Sequence, residues 1–236
     1  RLMSRGLGDV YKRQIIFILF SFSLSAQKID KKDEKTKSYN SIINNEVTTD
    51  QGLFKVHKKG DEYYYEIHPS QLNLEMLMVT RIAKTINGIG YGGQKINSQV
   101  LRWQKKNNQI LLRIVSYENI ASDSLPIYES VRNSNFEPIL YAFEIETHNP
   151  EDSSVLINVS PLFNTDVKAL GFPQFRRKSL KITSLDKKRS FIESIKSFPT
   201  NIEVRNVLTY ISTDPPSTRN SQTISLEVNN SMILLP

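Results

Sequence analysis

Hydrophobic and polar residues alternate most regularly in one central stretch, Val100 to Val115, which reads VLRWQKKNNQILLRIV. Alternation with a period of two is typical of β-strands that bury one face. Asn107 and Asn108 lie between the two alternating runs, and both tolerate the positive φ that a two-residue hairpin turn requires. The pattern predicts an antiparallel hairpin over residues 100–115.

The position of this turn determines which residues of the hairpin face each other. The pairs predicted on the apolar face are Lys105 with Ile110, Trp103 with Leu112 and Leu101 with Ile114. The pairs predicted on the opposite face are Val100 with Val115, Arg102 with Arg113 and Gln104 with Leu111. A slip of one residue would exchange the two faces, so the register is well specified. The facing arginines are unfavourable unless a carboxylate on a neighbouring strand separates them.

A second hairpin is predicted over Leu53 to Ile67, with its turn at Lys59-Gly60. This turn would pair Val56 with Tyr63 and Phe54 with Tyr65, and would leave Lys55 and Tyr64 on the other face. The adjacent tyrosines 63–65 could form a platform for a sugar or a base. Cross-strand packing with hydroxyls in contact with water is the favoured interpretation of these tyrosines.

Apolar and β-branched runs predict the remaining strands at 76–83, 136–145, 155–159, 191–198, 202–211 and 223–235. Short helices are predicted within 38–47, 125–131 and 161–170, the second beginning at Pro126 after a cap at Asp123 or Ser124. The fold class is therefore mainly β (α+β), with antiparallel meander sheets and a few short helices. The uncharged end of the last strand, Met232 to Leu235, is predicted to be an exposed edge or face that promotes association.

Four glycines lie in the loop NGIGYGG at residues 87–93. Gly88, Gly90 and Gly93 match the dinucleotide-binding fingerprint, and a strand precedes them. The surrounding sequence does not fit that fingerprint, because no helix of useful length follows and no acidic residue lies about 20 residues further on. The segment is interpreted as a mobile or tightly turning loop, whose functional role would be that of a flap.

The formal charge of +7 does not indicate nucleic-acid binding, because it is concentrated near the amino terminus. Residues 1–14 carry a net charge of +3 and residues 28–37 carry +2, which leaves +2 for the remainder. A nearly balanced folded region has no basic surface for phosphate. The absence of cysteine excludes disulfides, thiol catalysis and a cysteine lipid anchor.

Residues with catalytic or metal-binding chemistry are few. His57, His68 and His148 lie far apart in sequence, and no HExxH motif places two imidazoles one helical turn apart. They are interpreted as surface residues. Glu144 and Glu146 share a strand face, which is weak evidence for acid–base work, and the basic triplet 176–178 is interpreted as a solvated loop. No catalytic, cofactor-binding or metal-binding residue is assigned.

The first 37 residues are not expected to belong to the fold. Residues 1–14 resemble a translated sequencing-adapter artefact, and residues 15–26 form a short apolar run that ends in small residues, as in a secretory signal cleaved near Ala26. A buried strand is the alternative for this run, which is too short to span a bilayer. A charged linker is predicted at 27–37, a small amino-terminal module at 38–98 and a β-rich domain at 99–236.

Five stretches together resemble a known family. They are GLFKVHKKGDEYYYEI (52–67), GYGGQKINSQVLRW (90–103), SLPIYESVRNSNFEPIL (124–140), SFIESIKSFPTNIEVRNVLTY (190–210) and TISLEVNNSMILLP (223–236). The chain from about Tyr39 to Pro236 resembles the amino-terminal region of exported zinc-dependent metalloproteases of Bacteroidota, in which two domains of unknown function precede a met-zincin catalytic domain.

The resemblance implies a fragment that lacks its catalytic domain, because the motif HExxHxxGxxH of that family would follow Pro236. It implies zinc for the parent protein but no cofactor for this region, and a partner in the missing carboxy-terminal catalytic domain. The expected function is a non-catalytic amino-terminal region of a secreted metallopeptidase, with no nucleic-acid partner and no stable membrane span. A self-contained cell-envelope module that binds peptide or glycan is the alternative.

Overall fold

The structure of the chain is a computed structural model that describes residues 38–217 and 222–236. Its helices are α1 (Tyr39–Ile42), α2 (Tyr128–Ser134), α3 (Ser160–Asn164) and α4 (Gln174–Ser179). The strands are β1 (Thr48–Asp50), β2 (Lys55–Lys59), β3 (Glu62–Ile67), β4 (Glu75–Lys84), β5 (Lys95–Lys106), β6 (Gln109–Val115), β7 (Ile139–His148), β8 (Val155–Asn158), β9 (Ile182–Leu185), β10 (Phe191–Ser197), β11 (Asn201–Ser212) and β12 (Thr223–Leu234). The predicted artefact, signal and linker at 1–37 lie outside the described residues.

All twelve strands belong to one sheet, and every neighbouring pair is antiparallel. The strand order is β1-β2-β3-β8-β7-β6-β5-β4-β12-β11-β10, and β9 pairs with β11 beside this path. Because helices are short and strands dominate, the predicted mainly β fold class is confirmed. The order is not a simple meander, since β8 inserts beside β3 and β12 beside β4.

The predicted central hairpin is confirmed with its register. Strands β5 and β6 pair Trp103 with Leu112 and Arg102 with Arg113, as the turn at Asn107 and Asn108 requires. Arg102 forms ion pairs with Glu75 on β4 and with Glu137 before β7, the latter at 3.0 Å. These carboxylates compensate the facing arginines, as the sequence argument required.

The second hairpin forms on the predicted face but with a register shifted by two residues. Val56 pairs with Tyr65 rather than Tyr63, and Lys59 pairs with Glu62. The turn lies at Gly60 and the residue after it, with Gly60 at φ 60°. A type II′ turn needs glycine at its first central position, and this requirement places the turn one residue later than predicted.

The sheet curls until its two ends approach each other. Residues 139–144 of β7 pair with β6, whereas residues 145–148 pair with β8, so β7 joins the two halves. At the ends, the amide of Leu53 donates to the carbonyl of Phe198 at 2.7 Å. The hydroxyl of Ser197 donates to the carbonyl of Phe54 at 2.7 Å. We call this junction the seam.

The larger core lies inside the curl and centres on Trp103. Its indole packs against the rings of Phe54, Tyr65 and Phe143, with centroid distances of 5.5 to 6.0 Å. Side chains from β2, β3, β7 and β8 and from β4, β5, β11 and β12 all contribute to this one cluster. Aromatic groups in tilted or edge-on contact stabilise a core beyond the area that they bury.

Three local predictions are wrong in detail. The expected helix within 38–47 is only α1, four residues long. The helix predicted from Pro126 begins at Tyr128 with no side-chain cap, because Pro126 and Ile127 form a turn before it. The basic triplet 176–178 lies in α4 rather than in a loop, and Arg177 is buried.

The predicted exposed edge at Met232 to Leu235 is also wrong. Strand β12 lies between β11 and β4, and Met232 is buried in the larger core. The apolar run marks a central strand, because a strand that is paired on both sides has no open edge to protect with charge. Ile233 alone in this run remains an exposed large hydrophobic side chain.

Candidate functional surface

A buried carboxylate, Glu66 on β3, accepts four hydrogen bonds. Its donors are Lys55 Nζ at 2.7 Å, His57 Nε2 at 2.8 Å, Asn149 Nδ2 at 2.8 Å and Tyr39 OH at 2.7 Å. We call this set the Glu66 network. It connects α1, β2, β3 and the turn after β7, so one side chain joins segments that are far apart in sequence.

The pKa of Glu66 reflects two opposing causes. Burial alone would raise the pKa of this carboxyl, but hydrogen bonds from His57, Lys55, Asn149 and Tyr39 outweigh burial and hold it well below its ordinary value. Glu66 is therefore an anion at neutral pH. The donors compensate this buried anion, and loss of any of them would leave part of the charge uncompensated.

The other imidazole nitrogen of His57 lies 2.8 Å from Thr49 Oγ1 on β1. Thr49, His57 and Glu66 are therefore linked in the order hydroxyl, imidazole, carboxylate. A catalytic triad links its nucleophile, its general base and the carboxylate that orients the base in the same order. In this protein, however, Glu66 is shared among four donors from separate segments. The geometry supports a structural link between α1, β1 and the sheet.

The three histidines do not come together. His57 is buried, so the prediction that it is a surface residue is wrong, while His68 caps a 3₁₀ turn at 69–71. His148 lies 3.1 Å from Lys105 Nζ, and burial together with this ammonium group lowers the pKa of His148. Among the described residues, no three His, Asp or Glu side chains are grouped to hold a metal ion.

The other residues singled out in the sequence have structural surroundings. Tyr63, Tyr64 and Tyr65 are all buried, which confirms cross-strand packing, but the hydroxyl of Tyr65 is buried without a partner rather than in contact with water. Glu144 accepts a hydrogen bond from Gln109 on the neighbouring strand. The tyrosines therefore provide core packing and not an open platform.

The glycine loop at 87–93 connects β4 to β5, and its tight course is confirmed. Gly88, Gly90 and Gly93 all have positive φ, between 85° and 124°, and β5 follows directly without a helix. Gly90 has a φ of 124°, a conformation that residues with a side chain rarely adopt, so glycine is required there. The dinucleotide fingerprint therefore has no helix to complete it.

A cleft of about 210 Å³ lies beside this loop. Its walls are the buried side chains of Ile82 and Phe172, the exposed ring of Phe175, and the cations Lys95 and Arg176. Arg176 Nη2 donates to the carbonyl of Ile89 in the glycine loop at 3.1 Å. The adjacent Arg177 pairs with Asp166 and packs on the ring of Tyr210, which fixes the helix that carries Arg176 and Phe175.

Exposed hydrophobic side chains concentrate in the connection between β6 and β7. Six of the thirteen large hydrophobic side chains exposed among the described residues lie there, and a seventh belongs to the first residue of β7. They are Tyr117, Ile120, Leu125, Ile127, Tyr128, Phe136 and Ile139. We call this set the β6–β7 surface. Exposed apolar groups that concentrate in one segment are typical of interaction sites.

Polar contacts hold the β6–β7 surface in place. Asn119 Nδ2 donates to Asn135 Oδ1 at 3.2 Å and so joins the two ends of the connection. The guanidinium of Arg113 lies 5.0 Å from the ring centre of Phe136. Tyr117 OH contacts the carboxylate of Glu75 on β4. The exposed side chains are therefore presented on a tethered loop.

The β6–β7 surface lies close to the end of β12. The amide of Leu235 donates to the carbonyl of Glu75 at 3.0 Å, and Glu75 is the residue that Tyr117 contacts. The connection 116–138 carries Glu118, Asp123, Glu129 and Glu137 against the single base Arg132. An apolar surface with an acidic surround therefore adjoins Pro236.

Sequence reasoning missed three features that the structure brings together. The Glu66 network and the Asp166–Arg177 pair depend on residues that lie apart in sequence, and no local pattern indicates them. The β6–β7 surface had a signal, because apolar residues recur between 117 and 136 without a period that would bury them.

No helix in the described part of the chain has the length and apolar character needed to cross a bilayer.

Replacement of Glu66 by Gln should lower the free energy of unfolding at pH 7 by about 3 to 5 kcal/mol, because four hydrogen-bond donors lose a buried anion. The difference from the unsubstituted chain should narrow as the pH falls below about 4.3, where the unfolded carboxyl takes up a proton but the native one resists it. Urea unfolding between pH 3 and pH 7 measures both effects.

The exposed Glu129→Gln variant is the control and should change the stability by less than 1 kcal/mol. A Glu66→Gln variant as stable as this control at pH 7 would contradict the assigned role of the Glu66 network.

Comparison with known proteins finds two matches. Residues 36–85 match the domain of unknown function DUF5118, and residues 93–236 match the domain of unknown function DUF5117. The interval between the two matches, 86–92, is almost entirely the glycine loop. No curated protein and no solved structure matches the chain. Because the second match covers more than half of its length, the chain belongs to the DUF5117 family.

Proposed function

We propose that the chain is the non-catalytic amino-terminal region of a secreted zinc-dependent metallopeptidase and that it supports or covers a carboxy-terminal catalytic domain. The observation that carries the proposal is the β6–β7 surface, a cluster of exposed hydrophobic side chains that adjoins the end of β12. A domain that continued the polypeptide after Pro236 would emerge beside this surface. Short tethers raise the effective concentration of a docking partner to the millimolar range.

The pairing of the two domains of unknown function supports the same proposal. The strands of the 36–85 match and those of the 93–236 match form one sheet, with β3 beside β8 and β4 between β5 and β12. A single sheet of this kind is suited to position a second domain, because hydrogen bonds between strands connect the two matched regions. Zinc would be supplied and held by the catalytic domain.

Charge indicates the chemistry of the docking partner. The connection 116–138 carries four carboxylates and one arginine around its apolar side chains. Apolar contact supplies most of the affinity at an interface, while complementary charge sets orientation and association rate. The catalytic domain should therefore present an apolar patch with a basic surround.

Replacement of Ile120 and Phe136 by Asp should weaken docking of the downstream domain at least tenfold. Both side chains are about three-quarters exposed, so the substitution leaves the core undisturbed. It removes apolar contact area and places carboxylates against the apolar patch of the partner, where they would lose water without gaining a partner. The downstream domain is obtained by reading the genomic sequence beyond Pro236, and the affinity is measured by calorimetry with the two parts expressed separately.

Phe191→Asp, on the strand β10, is the matched control and should leave the affinity unchanged. A downstream reading frame that lacks HExxH sinks the proposal. The proposal is also contradicted if the downstream domain binds with an affinity that the double substitution does not change.

Export is the second element of the proposal. The apolar run 15–26 supports a secretory signal, which would place the mature protein in the periplasm, at the cell surface or outside the cell.

The precursor with a restored methionine start should be cleaved near Ala26, because small residues there suit signal peptidase. Amino-terminal sequencing of protein recovered outside the cytoplasm provides the measurement, and the unprocessed cytoplasmic pool provides the reference. Mature protein that still begins before Ile15 would refute export through this segment.

A self-contained binding module of the cell envelope is the second candidate. The cleft beside the glycine loop favours it, since this cleft combines apolar walls with two cations. Binding of the downstream domain separates the candidates, because a self-contained module should bind peptide or glycan without docking to that domain.

A further inference from the structure

The cleft beside the glycine loop has the composition of a binding site for an amphipathic anion. Ile82 and Phe172 form a buried apolar part of its wall, Gln94 adds a polar side chain, and the ring of Phe175 is exposed. Lys95 and Arg176 line the same cleft. An apolar wall together with cations accommodates a molecule that carries both a hydrophobic group and a negative charge.

The two cations are available to a ligand. No carboxylate among the described residues forms an ion pair with Lys95 or Arg176, whereas the adjacent Arg177 is paired with Asp166. Arg176 uses one of its N–H groups to anchor the glycine loop at Ile89 and keeps the others. A planar guanidinium with free donors is suited to a bidentate contact with a carboxylate.

The size of the cleft limits its ligand. About 210 Å³ is smaller than the roughly 300 to 1,000 Å³ of pockets that hold drug-sized molecules. One amino-acid residue with a large apolar side chain is the unit that fits such a volume. A segment of folded protein or a sugar chain would need a longer groove and more hydrogen-bonding groups than this apolar wall offers.

We propose that the cleft binds the free α-carboxylate of an amino-acid residue with a large apolar side chain. The carboxylate lies between Lys95 and Arg176, and the side chain packs against Phe172 and Phe175. Either the carboxy-terminal residue of a peptide or a free amino acid supplies this chemistry. The site is separate from the β6–β7 surface, so its test does not depend on domain docking.

Arg176 also couples the site to the glycine loop. The guanidinium contacts the carbonyl of Ile89. Ile89 itself is fully buried in a second, smaller core, together with Ile82 and Phe172. The positive φ values of Gly88 and Gly90 shape the loop around this contact. A carboxylate at Arg176 therefore binds next to a preformed loop rather than to a free surface cation, which limits the cost of ordering.

The test is calorimetry on the full chain with the peptide acetyl-Gly-Gly-Gly-Phe, its carboxy-terminal amide and free phenylalanine. Saturable binding of the acid is expected, with at least a tenfold loss for the amide, because amidation removes the charge that Lys95 and Arg176 recognise. Tighter binding of the peptide identifies a peptide end as the source of the carboxylate. Equal binding of free phenylalanine identifies the amino acid.

Two variants at exposed side chains keep the test independent of folding. Lys95→Gln should weaken binding of the acid several-fold and leave the weak binding of the amide unchanged, whereas Phe175→Ala should weaken both. Arg132→Gln, on the β6–β7 connection, is the control and should change neither. Absence of saturable binding, or equal affinity for acid and amide, overturns the proposal.

Discussion

The seam at Gly52 is the contact on which the shape of the sheet depends. A Cβ atom at Gly52 would lie 2.6 Å from the amide nitrogen of Phe198, so the two ends of the sheet approach as closely as they do because this residue has no side chain. Ser197 then bonds to Asp50 and Phe54 across the seam. Closure brings the first strands of the chain over Trp103 and completes its aromatic surroundings. A core of this kind needs the residues of both domain matches.

The two proposed functions use the connections between strands and not this core. The Glu66 network fixes α1 and the edge strand β1 to β2 and β3, and the Asp166–Arg177 pair fixes α4. Two surfaces remain with groups that the fold does not use, the apolar β6–β7 surface and the cleft beside the glycine loop. The first suits a large partner because it is broad and apolar. The second suits a small anion because it is narrow and cationic.

Local patterns predicted the elements well and the long-range contacts poorly. The hairpin around Asn107 was predicted to the residue, because alternation and turn chemistry agree there. The hairpin around Gly60 has the predicted residues on each face, but its pairing is shifted by two residues. Turns at Lys59-Gly60 and at Gly60-Asp61 place the same residues on each face, and the turn type selects the second. The position of β12 between β4 and β11 could not be read from its own residues, because exposed edges and central strands can carry the same apolar run. His57 appeared isolated for a similar reason: its partner Glu66 follows nine residues later, across a turn.

The most direct test of the docking account is hydrogen exchange, measured by mass spectrometry on the chain alone and in complex with the catalytic domain that we propose follows Pro236. The account predicts slower exchange of backbone amides in residues 117–138 on complex formation, because apolar contact excludes water from this connection. Exchange in the hairpin at 53–67 should be unchanged, since that hairpin lies elsewhere in the sheet. Unchanged exchange in 117–138, with protection confined to other segments, would contradict the assignment of the β6–β7 surface.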